Sequence, residues 1–346
     1  MEPLGLAGFL FLVVPPRLSH PLCENGAKMN TSTLRITGPY THGNLTLFLF
    51  HGSDAVDGSR FTVLEEAMDT HQVTVHETGN VGQLEIENLS DAFDLFVQAG
   101  DLVKGGRQDR AIGVDFVVPK KSGRIPVPVF CVESGRWHRR QSEDAHAFSS
   151  SKSSVSSRKV RLAAKLARDQ GEVWHNVAEA QADLSKGIEK EVAAAASPSS
   201  YQLSVEHADL VKRKDALRQT LEGMIHGDLE GAIGMAFAVG GQFNTADIYG
   251  SHTLFAKLRG KLLDTAVLES IVAPWSTAET GATPPPTSET LSAWMAEAQE
   301  AKATGDEPIP PRVRVQTRRG EQSVVFDTHD IAFADALLHR NVILAN

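Results

Sequence analysis

Two stretches of this chain set charged side chains among glycines at spacings that suit anion recognition or proton transfer. The first runs Gly100-Asp101 and then Lys104-Gly105-Gly106-Arg107-Gln108-Asp109-Arg110. A glycine pair lets backbone N–H groups turn toward one point, and neighbouring cations complete a nest for an anion. Arg110 offers a planar fork suited to phosphate or carboxylate, with Asp109 placed to orient it. The plainer alternative is a hairpin whose charges are simply solvated. The second stretch is Cys131, Glu133, Arg136 and Trp137. On a strand, Val127, Val129, Cys131 and Glu133 share one face, so Glu133 falls where the apolar face ends. That position can raise its pKa and suit a general acid or base. The alternative is a strand-end ion pair between Glu133 and Arg136, with Trp137 covering the core. Cys131, mid-strand and without an evident histidine base, reads as inert packing.

Other chemistries find no pattern. The thirteen histidines show no metal-ligand spacing beside acidic residues, so neither a metal site nor a cofactor is expected. The sequence carries no P-loop, dinucleotide-binding glycine fingerprint or nucleophile elbow. Gly240-Gly241-Gln242, Asn244 and Asp247 form a third polar connection ahead of a helix that Ser251 can cap; a strand-to-helix turn is its simpler meaning. Trp174 reads as packing. A net charge of −9 argues against a protein whose main task is gripping nucleic acid. The only two cysteines, Cys23 and Cys131, support no disulfide framework, which fits a reducing, cytoplasmic setting.

These residues must be held by what surrounds them. Val73 and Val75, Leu84 and Ile86, Leu95 and Val97, then Ile112, Val114, Phe116 and Val118 alternate with period two, predicting half-buried strands from Asn44 to about Val132. A short helix is expected at 62–70, a closing strand at 124–132, and 101–110 as a tight connection at a sheet end. Residues 141–157, rich in serine and charge, read as a mobile loop. Leu162, Leu166, Val173, Val177, Ala180 and Leu184 have the spacing of one amphipathic helix. A second helix carries Leu210 to Met224, strands follow at 233–239 and 243–249, and a third helix carries Leu254 to Val267. Ser288 is placed to cap a fourth helix, and a hairpin turning at Arg319-Gly320 joins Val313 and Val315 to 324–326. The fold class is α+β: a β-rich N-terminal half (44–137) with an antiparallel or mixed sheet, then a helix-rich half (158–346) with a few returning strands. Pairing of the last strands with the first sheet would make residues 29–346 a single domain.

Residues 1–28 stand apart. The apolar run Leu4 to Val14 is too short to span a membrane, has no Lys or Arg before it, and lacks a clear cleavage site after it. Met29 reads as an alternative start, and export is expected only if residues 1–28 form a genuine signal peptide. No later segment is apolar enough to suggest a membrane span.

Three strings resemble a known family: L-F-V-Q-A-G-D-L-V-K-G-G-R-Q-D-R (Leu95 to Arg110), V-P-V-F-C-V-E-S-G-R-W (Val127 to Trp137) and Val173-Trp174. They are similar to the ARPP domain, named for its association with ADP-ribosylglycohydrolases and rhodanese–phosphatase-like proteins, over about Asn44 to the end. The resemblance implies Gly100, Gly105, Gly106, Gln108, Asp109, Arg110, Cys131, Glu133, Arg136 and Trp137 as shared polar positions. It also implies a setting of ADP-ribose or nucleotide metabolism. Two departures stand out: Asp101 where Glu is expected, and Gly171-Glu172 where Gln-Ser is expected. The resulting expectation is an anionic, ADP-ribose- or nucleotide-like small molecule held by Lys104, Gly105, Gly106, Gln108, Asp109, Arg110, Arg136 and Trp137. Asp101 and Glu133 are the candidate acid/base pair. If the protein is an enzyme, the class is hydrolysis or transfer at a glycosidic or phosphate bond. The rival expectation is a non-enzymatic accessory domain whose motifs brace the fold and whose helical half meets a protein partner; neither nucleic acid nor membrane is expected as partner.

Overall fold

The computed structural model describes residues 34–138, 140, 148–273 and 284–345. The proposed leader (1–28), residues 141–147 of the expected serine-rich loop and most of the proline-rich break before the fourth helix lie outside them. The molecule is α+β, built on three sheets. The largest has eight antiparallel strands, in the order β1 (Arg35–His42), β2 (Leu45–His51), β12 (Ala232–Val239), β13 (Gln242–Tyr249), β17 (Ala336–Leu344), β16 (Ser323–Asp330), β15 (Val313–Arg319) and β14 (Lys302–Ile309). Six of these eight come from the second half of the chain, and β2 ladders directly onto β12 from Leu45–Val239 to His51–Ala232.

The second sheet has the order β11 (Phe148–Ser154), β7 (Asp101–Gly105), β8 (Arg110–Ile112), β10 (Ile125–Cys131), β5 (Gln83–Asn88) and β4 (Val73–Asn80). A small third sheet joins β3 (Phe61–Val63), β6 (Asp94–Val97) and β9 (Phe116–Val118), with the short helix α1 (Leu64–Asp69) directly after β3. Period-two patterning holds where one face is wet: along β5 only Leu84, Ile86 and Asn88 are buried. It fails for 112–118. That run is two strands in two different sheets, fully buried, separated by Gly113–Asp115. Residues 148–154 are strand β11, laddered on β7 from Phe148–Gly105 to Ser154–Asp101. They are therefore not loop; serine on an edge strand is what composition misread.

The single amphipathic helix expected from 162 to 184 is broken. Helix α2 (Arg158–Leu162) passes into a wider π-type turn at Ala163–Ala167, Arg168 turns left-handed, and α3 (Gln170–Ile188) starts afresh with Asp169 as its cap. After α4 (Tyr201–Val205) and α5 (Ala208–Ile225) comes α6 (His252–Val272), capped by Ser251 as expected. Thirteen α6 residues are buried, because it packs on β2 and β12 of the large sheet, on β11 of the second, and on α3 and α5. Helix α7 (Ser288–Gln299) is capped by Thr287, one residue before the serine expected in that role. Gly240-Gly241 is the hairpin turn between β12 and β13, and Asn244 and Asp247 lie within β13 rather than in a connection to the helix. One apolar cluster runs through both halves, from Leu45 to Leu338. Among the described residues, no helix is long and apolar enough to cross a membrane.

Candidate functional site

Strand β7 divides the first motif in two. Its start, with the turn before it, and its end serve different polar centres.

At its end, the turn Gly106–Asp109 leads into β8, which pairs with β10 so that Arg110 faces Cys131. Gly105 and Gly106 both take positive φ, at 121° and 53°, which the close turn requires. Asp109 Oδ1 accepts the Gly105 N–H at 3.0 Å, while the Asp109 N–H donates to Glu133 Oε2 at 2.9 Å. Glu133 in turn receives Arg136 through Nε and Nη2, both at 2.6 Å, a bidentate fork. Arg140 donates to both Asp109 oxygens, at 2.5 and 2.8 Å, and reaches Glu133 at 3.2 Å. Ser200, which caps α4, adds its hydroxyl to Asp109 Oδ2 at 2.7 Å. Arg136 also donates to the carbonyls of Gly105, Gly106 and His138, and Gln108 donates to the Glu133 carbonyl at 2.9 Å. The motifs 105–110 and 131–137 therefore meet in one buried lattice of two carboxylates and two guanidiniums. Glu133 does sit at the end of the β10 apolar face, but its pKa does not rise. Burial pushes it up, yet the Arg136 fork, a Ser197 hydroxyl and the Asp109 N–H hold it below the ordinary carboxylate range.

Arg110 is the exception. It is 0% exposed, and its Nε and both Nη atoms have no hydrogen-bond partner. Burial lowers its pKa, opposed by the fields of Cys131, Glu77, Asp109 and Glu133. The Trp137 ring lies over it, 5.9 Å from the guanidinium carbon, and over Arg107 at 5.3 Å. Trp137 itself is 45% exposed. Cys131 is a buried free thiol whose pKa is pushed up by burial, as its packing role implied.

At its start, the same motif turns the other way. Asp101 accepts Lys261 from α6 at 2.8 Å and the Gln98 N–H at 3.1 Å, and Lys104 pairs with Glu206 at 2.6 Å. Asp101 and Glu133, the candidate acid/base pair, thus hold separate partners. Ala99 N–H donates to Asp115 at 2.7 Å, and the Gln98 side chain accepts the Tyr249 hydroxyl at 2.8 Å. Those contacts lead to a second centre around His339. This fully buried imidazole is held by Asp115 at Nδ1 (2.7 Å) and by Asp247 at Nε2 (3.1 Å), and it stacks on Tyr249 at 4.5 Å. Burial opposes its charge, but the two aspartates raise its pKa to about 9, while the imidazolium holds the Asp115 carboxyl far below its usual range. Thr328 adds a hydroxyl to Asp115 at 2.7 Å, and Asn341 links Asp247 to Lys165 on the π-type turn. His339 and Asp115 carry no motif and lie 224 residues apart. Only Asp247, as the last member of the polar string Gly240-Gly241-Gln242, Asn244 and Asp247, gave a sign of this centre.

The model for the ARG and Rhodanese-Phosphatase-superfamily-associated Protein domain matches residues 33–343. No curated protein and no solved structure matches the chain. The match takes in both polar centres and nearly every element described above, and the chain belongs to this ARPP family.

Proposed function

We propose that this protein binds an anionic small molecule, ADP-ribose- or nucleotide-like, and that Arg110 takes its anionic group. One observation carries this: three guanidiniums gather with two carboxylates, and only Arg110 lacks a hydrogen bond. A buried charge without hydrogen bonds costs several kcal/mol, so a site that keeps one gains most from an anion brought to it. The half-exposed Trp137 ring, 5.9 Å from the Arg110 guanidinium carbon, would flank a group bound there. Binding is favoured over turnover, because Glu133 is held ionised between two arginines and Asp101 is engaged by Lys261. We further propose that residues 29–346 work as one interlocked domain in the cytoplasm, supported by the β2–β12 ladder and the free Cys131 thiol.

A second reading has its own support: the Asp109–Glu133–Arg136–Arg140 lattice is satisfied internally, as a brace in an accessory or partner-binding domain would be. A thermal-shift panel of ADP-ribose, NAD and nucleotides separates the two. Ligand at a hundred times Kd should stabilise wild type by about 2.7 kcal/mol, a rise of a few degrees, and leave a folded Arg110→Ala protein unmoved. A panel with no Arg110-dependent shift would leave the brace.

A further inference from the structure

We infer that the cleft between α1, α5, α6 and β11 is a second binding site, for a small dipolar molecule of the amino acid or short-peptide class. Its ammonium would meet Glu65, and its carboxylate Arg218 and Arg259. The cleft does not include Arg110, and its volume of about 590 Å³ is in the range of small-molecule sites. Ion pairs fix the α6 side to the rest of the molecule. Lys261 reaches Asp101 of β7 at 2.8 Å, and Lys257 pairs with Glu66 of α1. Arg218 of α5 is anchored through two nitrogens, Nε to Glu222 at 3.0 Å and Nη1 to the buried Asp264 at 3.2 Å. Its Nη2 has no hydrogen bond among the described residues and lies against Gly260, where a Cβ would come within 3.2 Å of it. The missing side chain at 260 leaves room for that guanidinium along α6.

The groups left uncommitted in the cleft carry both signs. Arg259 of α6 and Lys152 of β11 line it with neither an ion pair nor a hydrogen bond to another described residue. From α1, Glu65 accepts no hydrogen bond and meets only Lys261, at 3.9 Å. Burial raises its pKa against the fields of Lys261 and Lys152, so its carboxylate gains from a cationic donor brought to it. Asp69 commits one oxygen to the Ser150 hydroxyl at 2.8 Å and keeps the other. A purely anionic ligand would face Glu65 and Asp69, and a purely cationic one Lys152 and Arg259. Like charges so juxtaposed oppose binding. A dipolar molecule satisfies both sets, since an ammonium only donates and a carboxylate only accepts.

Calorimetry on the full chain tests this with a fixed panel, the standard amino acids and their glycyl dipeptides at millimolar concentration. At least one member should bind wild type and Arg110→Ala alike. It should lose about tenfold or more in Glu65→Gln and in Arg259→Gln, the loss expected when one hydrogen bond to a charged group is removed. Both variants change side chains that make no hydrogen bond in the free protein, and unfolding midpoints check that each still folds. The N-acetyl and C-amide derivatives of the bound member should each bind more weakly by a similar factor. A panel without a binder overturns the site. Affinity unchanged in either folded variant, or lost in Arg110→Ala, places the ligand elsewhere and overturns it too. Derivatives that bind as tightly as the parent overturn the dipolar class. None of these outcomes bears on the Arg110 site, whose own ligand panel decides it.

Discussion

A buried arginine without hydrogen bonds has a measurable signature in the ligand-free protein. Replacing Arg110 with methionine keeps much of the volume and removes the desolvation cost, so Arg110→Met should be as stable as wild type or more so, by about 1–4 kcal/mol in urea unfolding. Clear destabilisation would mean that Arg110 is already well paired. Its neighbours should behave oppositely. Glu133→Ala removes the bidentate partner of the buried Arg136, while Arg140 keeps Asp109, and should cost about 3–5 kcal/mol by the same measurement. The sequence made these residues visible as types: glycines, acids and arginines crowded into two short strings. It could not reveal which charges would cancel. Arg110 and Arg136 look alike in one dimension, and only the fold gives one a bidentate partner, in the turn after β10, and leaves the other without a hydrogen bond on β8.

Strand β7 is the element on which the motif depends. Its start contributes to the His339 centre through the turn before it, and its end anchors the arginine lattice, within five residues. Gly106 shows how tightly that end is packed, because a Cβ there would lie 2.4 Å from the Phe148 ring of the neighbouring β11. Gly106→Ala should therefore cost about 1–3 kcal/mol and raise hydrogen exchange along β11, the edge it would push away. Half-buried strands such as β5 and β10 were legible because one face is wet. Strand β17 was not, since all nine of its residues are buried and its centre reads His339-Arg340-Asn341. Strand β14 escaped notice for the reverse reason, an exposed edge with charge, glycine and proline among its residues. The break between α2 and α3 was hidden because apolar spacing continues across a π-type turn that shifts the helix phase.

At the scale of the molecule, the His339 centre ties early strands to late ones and makes stability depend on pH. The folded pKa of about 9 lies above the ordinary 6.5, so the bound proton stabilises fully below pH 6.5 and ceases to as pH climbs through 9. That shift corresponds to about 3 kcal/mol, to be read from urea midpoints between pH 6 and pH 9.5. His339→Gln should flatten that slope, and an unchanged slope would count against a buried imidazolium. Because β2 sits beside β12 and one core serves both halves, calorimetry should record one cooperative transition with matching van't Hoff and calorimetric enthalpies. The Asp115–His339 pair also fixes an order of events during synthesis. Asp115 leaves the ribosome 224 residues before the imidazole that neutralises it, and β2 waits almost as long for β12. For most of translation the first half carries an unpaired acid and an open strand edge. The nascent chain is thus the most exposed stage in this protein's life, and slow, chaperone-sensitive maturation should follow from that topology.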